Sequence, residues 1–243
     1  MKKQLLLVSI LVACVLLLDQ GIKIWIKTSF MPDESKAVFG EWFRLYYIEN
    51  QGMAFGTTFG ASSWAKLGLS VFRVVAIVGI GIYFFRLLKK GVRTELLIAI
   101  GLIFAGATGN LIDSMFYDFV FPYDPCNAFN HLPGSGKFAD CELFGIKTQI
   151  ETRHTGFLFG NVVDMFQFTT EWPSWVPWYN HNPMHPSDNQ IFPAIWNIAD
   201  AAISSGVILI ILRQRAYFPK EKKKEDKIIE PAETTPESNT DSN

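Results

Sequence analysis

The 243-residue sequence predicts an all-α membrane protein with four transmembrane helices and a small extracytoplasmic β-rich region. Two observations lead to this fold class: four long apolar stretches, and the position of the Lys and Arg residues between them. The totals alone, 49% hydrophobic residues and a formal net charge of −1, fit a soluble domain equally well. The local distribution decides against a soluble domain, because four such stretches leave little sequence for a soluble core.

Each apolar stretch approaches or exceeds the roughly 17–25 residues that cross a hydrocarbon core. The stretches cover residues 4–26, 67–85, 96–112 and 191–212. The first begins MKKQLLLVSILVAC, which also resembles a secretory leader with a lipoprotein-type cleavage box at Cys14. The apolar run continues beyond Cys14 and three more stretches follow, so an uncleaved first span is favoured.

Positive charges predict the orientation, because cytoplasmic segments carry an excess of Lys and Arg. They precede the first stretch, separate the second from the third and follow the fourth: Lys2, Lys3, Arg86, Lys89, Lys90, Arg93, Arg213, Arg215 and Lys220. Residues 1–215 are therefore expected to form a membrane domain with both termini cytoplasmic. Loops 27–66 and 113–190 are expected outside, and the polar tail 216–243 is expected to be disordered.

The outer loops contain strand-like segments. AVFGEWFRLYYIENQGMAFG and GKFADCELFGIKTQIETRHTGFLFG are rich in aromatic and β-branched residues and carry Gly at turns, which is typical of β-strands. Cys126 and Cys141 both fall in the second outer loop. An oxidising compartment permits a disulfide there, and the sequence leaves open whether it forms.

Polar residues within the apolar stretches are expected to share one depth. Asp200 lies 13 positions before Arg213, roughly 20 Å along a helix. The same count places four more polar residues in the outer third of a core about 30 Å thick: Asp19, Arg73, Asn110 and Asp113. Intramembrane charges are costly and usually mark function, so we predict a polar site near the outer leaflet. The alternative is a set of separate side chains that each reach the interface.

The sequence lacks the residue patterns that most other catalytic mechanisms require. The sequence has no HExxH, CxxC or phosphate-binding Gly loop, and no Ser/Lys or Ser/His pair at the shared depth. His181 and His185 are four apart, but Pro183 interrupts any helix between them, so no metal and no cofactor is predicted. Asp164, in GNVVDMFQF, is a further carboxylate flanked by apolar residues, although such an Asp is also typical of a turn or a helix cap. Two aspartates that share a proton can activate water.

Five segments together resemble the lipoprotein signal peptidase (signal peptidase II) family of four-span membrane aspartyl proteases. The first two segments are DQGIK, with Asp19 and Lys23, and NQGMAFG, with Asn50, Gly52, Ala54 and Phe55. The third is GNLID, with Gly109, Asn110 and Asp113. The last two are GNVVDMFQF, with Asp164, and WNIADAAI, with Asn197, Ala199 and Asp200. Any one segment is a weak match, whereas five in order on four spans are specific.

The resemblance implies that the protein removes signal peptides from diacylglyceryl-modified prolipoproteins, cleaving N-terminal to the lipidated cysteine at the outer face of a bacterial inner membrane. It assigns Asp164 and Asp200 as the catalytic pair. Nine of the other matched residues are expected to bind substrate or support the site: Asp19, Lys23, Asn50, Gly52, Gly109, Asn110, Asp113, Asn197 and Ala199. Expected partners are lipidated prolipoproteins and membrane lipids, with no nucleic acid, and a monomer is expected.

The sequence also departs from the family. Ser114 stands where the family usually has Arg, Trp196 replaces Phe, and residues 115–159 are longer than the usual connection. The missing arginine leaves a charge role at that position open, and Arg73, at a similar depth, is a candidate substitute. The insertion is expected to alter substrate access or to contact a partner.

Two other function classes remain open. Intramembrane carboxylates together with Arg73 are also typical of a proton- or ion-coupled transporter, although no paired repeat is evident. A structural scaffold that presents the long outer loop is the third hypothesis.

Overall fold

The computed structural model describes residues 1–51, 63–177 and 189–218. Gly52 of the predicted site, the His181–His185 pair and the tail beyond residue 218 lie outside these ranges. The elements in chain order are α1 (Lys2–Ser29), β1 (Ser35–Phe39), β2 (Phe43–Asn50), α2 (Ser63–Lys89), α3 (Thr94–Val120), β3 (Phe138–Leu143), β4 (Ile146–Glu151), β5 (Val162–Phe168), β6 (Ile195–Trp196), α4 (Ile198–Leu212) and α5 (Gln214–Tyr217).

Within the described residues, the first three predicted spans are confirmed as helices that are long and apolar enough to cross a membrane. The fourth stretch is not one helix from 191 to 212 as predicted. It begins as the short strand β6, and α4 has 15 residues. The reason is local: the Asn197 side chain and the Asp200 side chain each accept a hydrogen bond from the other's backbone N–H, a capping box that starts the helix at Ile198.

The third helix extends further than predicted. It continues to Val120, so the expected start of the outer loop at 113 and of the insertion at 115 both lie inside α3. Asp113 and Ser114, at the expected end of the third stretch, are fully buried. Their polar atoms bond to neighbouring elements, so the helix can continue past them without leaving unpaired polar groups.

Helix α3 occupies the centre of the bundle and packs against α1, α2 and α4. Its contact with α4 is a close backbone approach. A Cβ on Gly106 would lie 2.2 Å from the Ala199 carbonyl oxygen, and one on Gly206 would lie 2.5 Å from the Ala99 carbonyl oxygen. Small residues at such crossings let two helix backbones pack directly.

The segments after α1 and after α3 form a four-stranded antiparallel sheet with the order β1-β2-β5-β6. Successive residues of a strand point to opposite faces. One face carries Tyr47, Val163 and Met165, which pack on the ends of α1 and α3 through Ile26, Phe30 and Tyr117. The opposite face carries Asn50 and Asp164. The sheet is therefore fixed on the bundle by one side and presents a carboxylate on the other.

The insertion is built around the hairpin of β3 and β4. Cys126 and Cys141 form a disulfide, which answers the question that the sequence left open. A buried ion pair joins Arg153 to Asp118 on the last turns of α3, with 2.8 Å between Nη2 and Oδ1. The insertion is thus attached to the bundle through α3.

Candidate active site

Strand pairing brings the two predicted catalytic aspartates to one place. β5 pairs with β6 through Phe166 and Trp196, and α4 begins directly after β6. Asp164 on β5 and Asp200 in the first turn of α4 consequently flank Asn197. The Asn197 Nδ2 donates to Asp164 Oδ1 at 2.6 Å, and its Oδ1 accepts from the backbone N–H of Asp200 at 2.9 Å.

A second asparagine completes the connection between the two carboxylates. Asn110 Nδ2 donates to Asp200 Oδ1 at 2.9 Å. Its Oδ1 accepts from Asn197 Nδ2 at 3.1 Å and from Lys23 Nζ at 2.8 Å. An ammonium can only donate, so Lys23 fixes the orientation of the Asn110 amide with its nitrogen toward Asp200.

Asp164 is almost completely buried, with 1% of its surface exposed. Asn50 lies on the same face of the sheet, and its Nδ2 donates to Asp164 Oδ2. Burial first, and the charge of Asp200 second, raise the pKa of Asp164 well above its usual value. Asp200 is only partly buried and accepts the Asn197 backbone N–H at the positive end of a helix. The two carboxyl groups therefore occupy different electrostatic environments.

A buried charge network supports this arrangement. Lys23 Nζ lies 3.0 Å from Asp19 Oδ2 and 2.8 Å from Asp113 Oδ2, and all three side chains are buried. Asp19 Oδ1 accepts the backbone N–H of Ala199 at 2.9 Å, while Asp113 Oδ2 accepts that of Val163 at 3.3 Å. The network thus holds the strand that carries Asp164 and the helix start that carries Asp200.

Every predicted site residue within the described ranges lies in this region: Asp19, Lys23, Asn50, Gly109, Asn110, Asp113, Asp164, Asn197, Ala199 and Asp200. Gly109 is required by space, because a Cβ there would lie 2.7 Å from Asp19 Oδ2. In the part of the chain that the structure describes, no three His, Cys, Asp or Glu side chains are arranged to hold a metal ion.

Sequence reasoning missed four polar neighbours of the site. Gln20 Nε2 donates to Asp113 Oδ1 at 3.0 Å. On α2, Lys66 Nζ donates to the carbonyls of Gln51 (2.6 Å) and Gly160 (3.0 Å), and Ser70 Oγ donates to that of Leu158 (2.7 Å). Ser114, noted only as a departure from the family, accepts from Arg73 Nη1 at 3.4 Å. The signal available in the sequence was the spacing of Lys66, Ser70 and Arg73, which puts them on one helix face.

Comparison with known proteins is consistent with this geometry. The family model described as "Signal peptidase (SPase) II" matches residues 11–215. The lipoprotein signal peptidase of Porphyromonas gingivalis is 35% identical over 210 residues, covering 84% of this chain and 81% of the relative. That of Amoebophilus asiaticus is 31% identical over 205 residues, covering 82% and 73%.

The fold also resembles a solved structure, described as a bacterial membrane enzyme determined by the in meso method at 2.3 Å resolution. The TM-score is 0.51 at 24% identity, covering 89% of this chain and 93% of the other. With a family model that spans most of the sequence and relatives above 30% identity over most of both lengths, this chain belongs to the signal peptidase II family of membrane proteases.

Proposed function

We propose that this protein is an aspartic endopeptidase that removes the signal peptide from diacylglyceryl-modified prolipoproteins, with Asp164 and Asp200 as its catalytic pair. One observation carries the assignment: Asn197 and Asn110 connect the two carboxylates through direct hydrogen bonds. Family membership supplies the substrate class, since the similar proteins are lipoprotein signal peptidases.

The environments of the two aspartates support a division of roles. Asp164, buried and with a raised pKa, holds a proton and polarises the carbonyl of the scissile bond. Asp200, at a helix start, is ionised and removes a proton from the attacking water. The water oxygen bonds to the carbonyl carbon as Asp164 protonates the carbonyl oxygen. Asp200 then passes its proton to the leaving amine as the C–N bond breaks, and Asp164 recovers a proton from the collapsing intermediate.

We further propose that α4 is a fourth span, that both termini are cytoplasmic and that the site lies near the outer leaflet of the inner membrane. The basic residues between α2 and α3 and after α4 support this orientation. The disulfide supports it independently, because such bonds persist in oxidising compartments. A diacylglyceryl-modified substrate has its acyl chains in the outer leaflet, so its scissile bond is expected at that depth.

The test is cleavage of a diacylglyceryl-modified precursor peptide by the purified protein in detergent. Asp164→Asn and Asp200→Asn should each leave a folded protein and reduce the rate by at least about 10²–10⁴-fold, since each removes one acid–base group. Glu142→Gln, which changes an exposed carboxylate on the insertion hairpin, is the matched control and should cleave normally.

Wild-type processing by either aspartate variant would remove that residue from the catalytic pair. An intact precursor with the wild-type protein, together with an ion flux in proteoliposomes that Asp200→Asn abolishes, would favour the transporter hypothesis instead.

A further inference from the structure

Arg73 is a cation on α2, the helix that leaves most of its apolar surface facing outward. Charged residues within membrane segments are costly and usually face a protein interior. The guanidinium reaches Ser114 on α3, where Nη1 donates to Oγ at 3.4 Å, and the Ser114 side chain is fully buried. Arg73 therefore faces the interior of the bundle at the level where α3 meets the active site.

Short contacts connect Ser114 to the proposed catalytic pair. Its Oγ donates to the backbone carbonyl of Asn110 at 3.3 Å, and the Asn110 side chain donates to Asp200. The Arg73 charge interacts electrostatically with three carboxylates, those of Asp200, Asp113 and Asp164. The charge of Arg73 thus acts on the pair from α2, and that of Lys23 acts on it from α1.

The charges around Asp164 and Asp200 indicate what the positive charge of Arg73 does in addition to that of Lys23. The ionisable groups that face the pair are Asp19 and Lys23 on α1, Asp113 on α3 and Arg73 on α2; Lys66 on α2 interacts with Arg73. If Asp164 and Asp200 share one proton, the four carboxylates carry three negative charges, and Lys23 offsets one. A further positive charge nearby favours the ionised form of the remaining carboxylates.

We propose that Arg73 is a positioning residue whose charge keeps the Asp164–Asp200 pair singly protonated at neutral pH. This inference rests on the proposed aspartic mechanism. Without the charge of Arg73, both ionisations of the pair move to higher pH, because a neighbouring cation lowers the pKa of a carboxyl group and its loss raises it. Less of the enzyme then has an ionised base at neutral pH, and catalysis slows.

A structural role is the competing explanation. Lys66 and Ser70 lie on the same face of α2 and hold backbone carbonyls of the segment before β5. Arg73 would then be one more tether between α2 and the site. A tether affects stability or substrate affinity, whereas a charge acting on the pair shifts the pH dependence of the rate.

Four variants separate these explanations when cleavage of the diacylglyceryl-modified peptide is measured across pH. Arg73→Met removes the charge and should move both limbs of the pH profile up by about one unit, so that kcat falls by up to about tenfold on the acid limb and less near the optimum. Arg73→Lys keeps the charge and should keep the profile. Adding Ser114→Arg to Arg73→Met returns a cation to the same place and should restore most of kcat. Ser70→Ala, one turn away on α2, is the matched neutral control and should lower Tm without moving the profile.

An Arg73→Met variant whose pH limbs stay in place, with a loss confined to Tm or KM, would overturn the inference. The inference would also be overturned if neither Arg73→Lys nor the double variant Arg73→Met with Ser114→Arg had the wild-type pH profile. These outcomes differ from a failure of the proposed function: normal cleavage by Asp164→Asn or Asp200→Asn would reject the catalytic pair itself, whatever Arg73 does.

Discussion

At the scale of single residues, two asparagines decide how the aspartates are presented. Asn197 donates to Asp164 and receives the backbone N–H of Asp200, while Asn110 donates to Asp200. Lys23 holds the Asn110 oxygen, so that the amide nitrogen faces the carboxylate. Buried polar groups in such a network are individually satisfied, which makes the arrangement specific as well as stable.

The raised pKa of Asp164 leads to a prediction about pH. We expect a bell-shaped profile of kcat/KM, falling on the acid side as Asp200 takes up a proton and on the alkaline side as Asp164 loses its own. Because burial raises the pKa of Asp164 well above the usual 3.8, the proton is lost only at higher pH, and the alkaline limb should lie well above that value. A rate that rises with pH and then stays level would show that no protonated carboxyl is needed.

At the scale of the elements, the crossing of α3 and α4 determines the geometry of the site. α3 carries Asn110 and Asp113, and α4 begins at the Asn197–Asp200 cap. Gly106 lets the two backbones touch at Ala199, and Gly206 lets them touch at Ala99. The distance between Asn110 and Asp200 is therefore set by helix packing, and a displacement of either helix changes the site.

Enlarging Gly106 should separate these helices. In Gly106→Ala the new Cβ would lie 2.2 Å from the Ala199 carbonyl oxygen, so we expect a loss of about 1–3 kcal/mol in stability and a reduced cleavage rate. Gly79→Ala is the control, because a Cβ there meets nothing within 4 Å and alanine favours a helix by up to ~1 kcal/mol. Thermal unfolding in detergent measures the stability of both variants. Equal Tm values for the two variants would contradict the close approach of α3 and α4.

At the scale of the whole molecule, a helix bundle, a four-stranded sheet and a disulfide-bonded insertion meet at one end of α1 and α3. The sheet packs on the bundle through Val163 and Met165, and the insertion is attached through Arg153 and Asp118. The side of the membrane on which this end lies decides where the substrate is cut. The cysteines offer a direct measurement of that side.

A membrane-impermeant maleimide should report the orientation in spheroplasts. With Cys14 replaced by Ser, the protein should be labelled only after a reductant opens the Cys126–Cys141 bond, and without permeabilising the membrane. Cys141→Ser in the same background is the control, since it leaves Cys126, the more exposed of the two cysteines, as a thiol that reacts without reductant. Labelling that requires permeabilisation would place the insertion on the cytoplasmic side and reject the proposed topology.

Much of this organisation could be predicted from the sequence, because membrane spans and intramembrane charges leave strong local patterns. The common level of Asp19, Asn110, Asp113 and Asp200 followed from counting helix turns. The start of α4 could not be predicted in this way, because the capping box of four residues lies inside a long apolar run. The end of α3 was misjudged because Asp113 is paired across the bundle with Lys23, a tertiary contact that helix periodicity does not contain.

The contacts within the candidate site were harder to predict from the sequence. Asp164 stands out only through its resemblance to a family segment, since its neighbours Asn50 and Asn197 come from distant parts of the chain. Lys66 and Ser70 were missed because they act on backbone carbonyls, which any sequence supplies. Pairing of Cys126 with Cys141 likewise depends on the insertion fold.

The two aspartates reach their places by different routes, and this has a consequence for how the protein matures. Asp200 closes the first turn of its own helix, so it is in position as soon as α4 forms. Asp164 depends on Asn50, Asn197 and the assembly of a sheet from the segments after α1 and after α3. A newly made chain in which these segments are still unfolded therefore holds only one of the two proposed catalytic aspartates in place. On the proposed mechanism, cleavage therefore requires that the sheet has formed as well as the helix bundle.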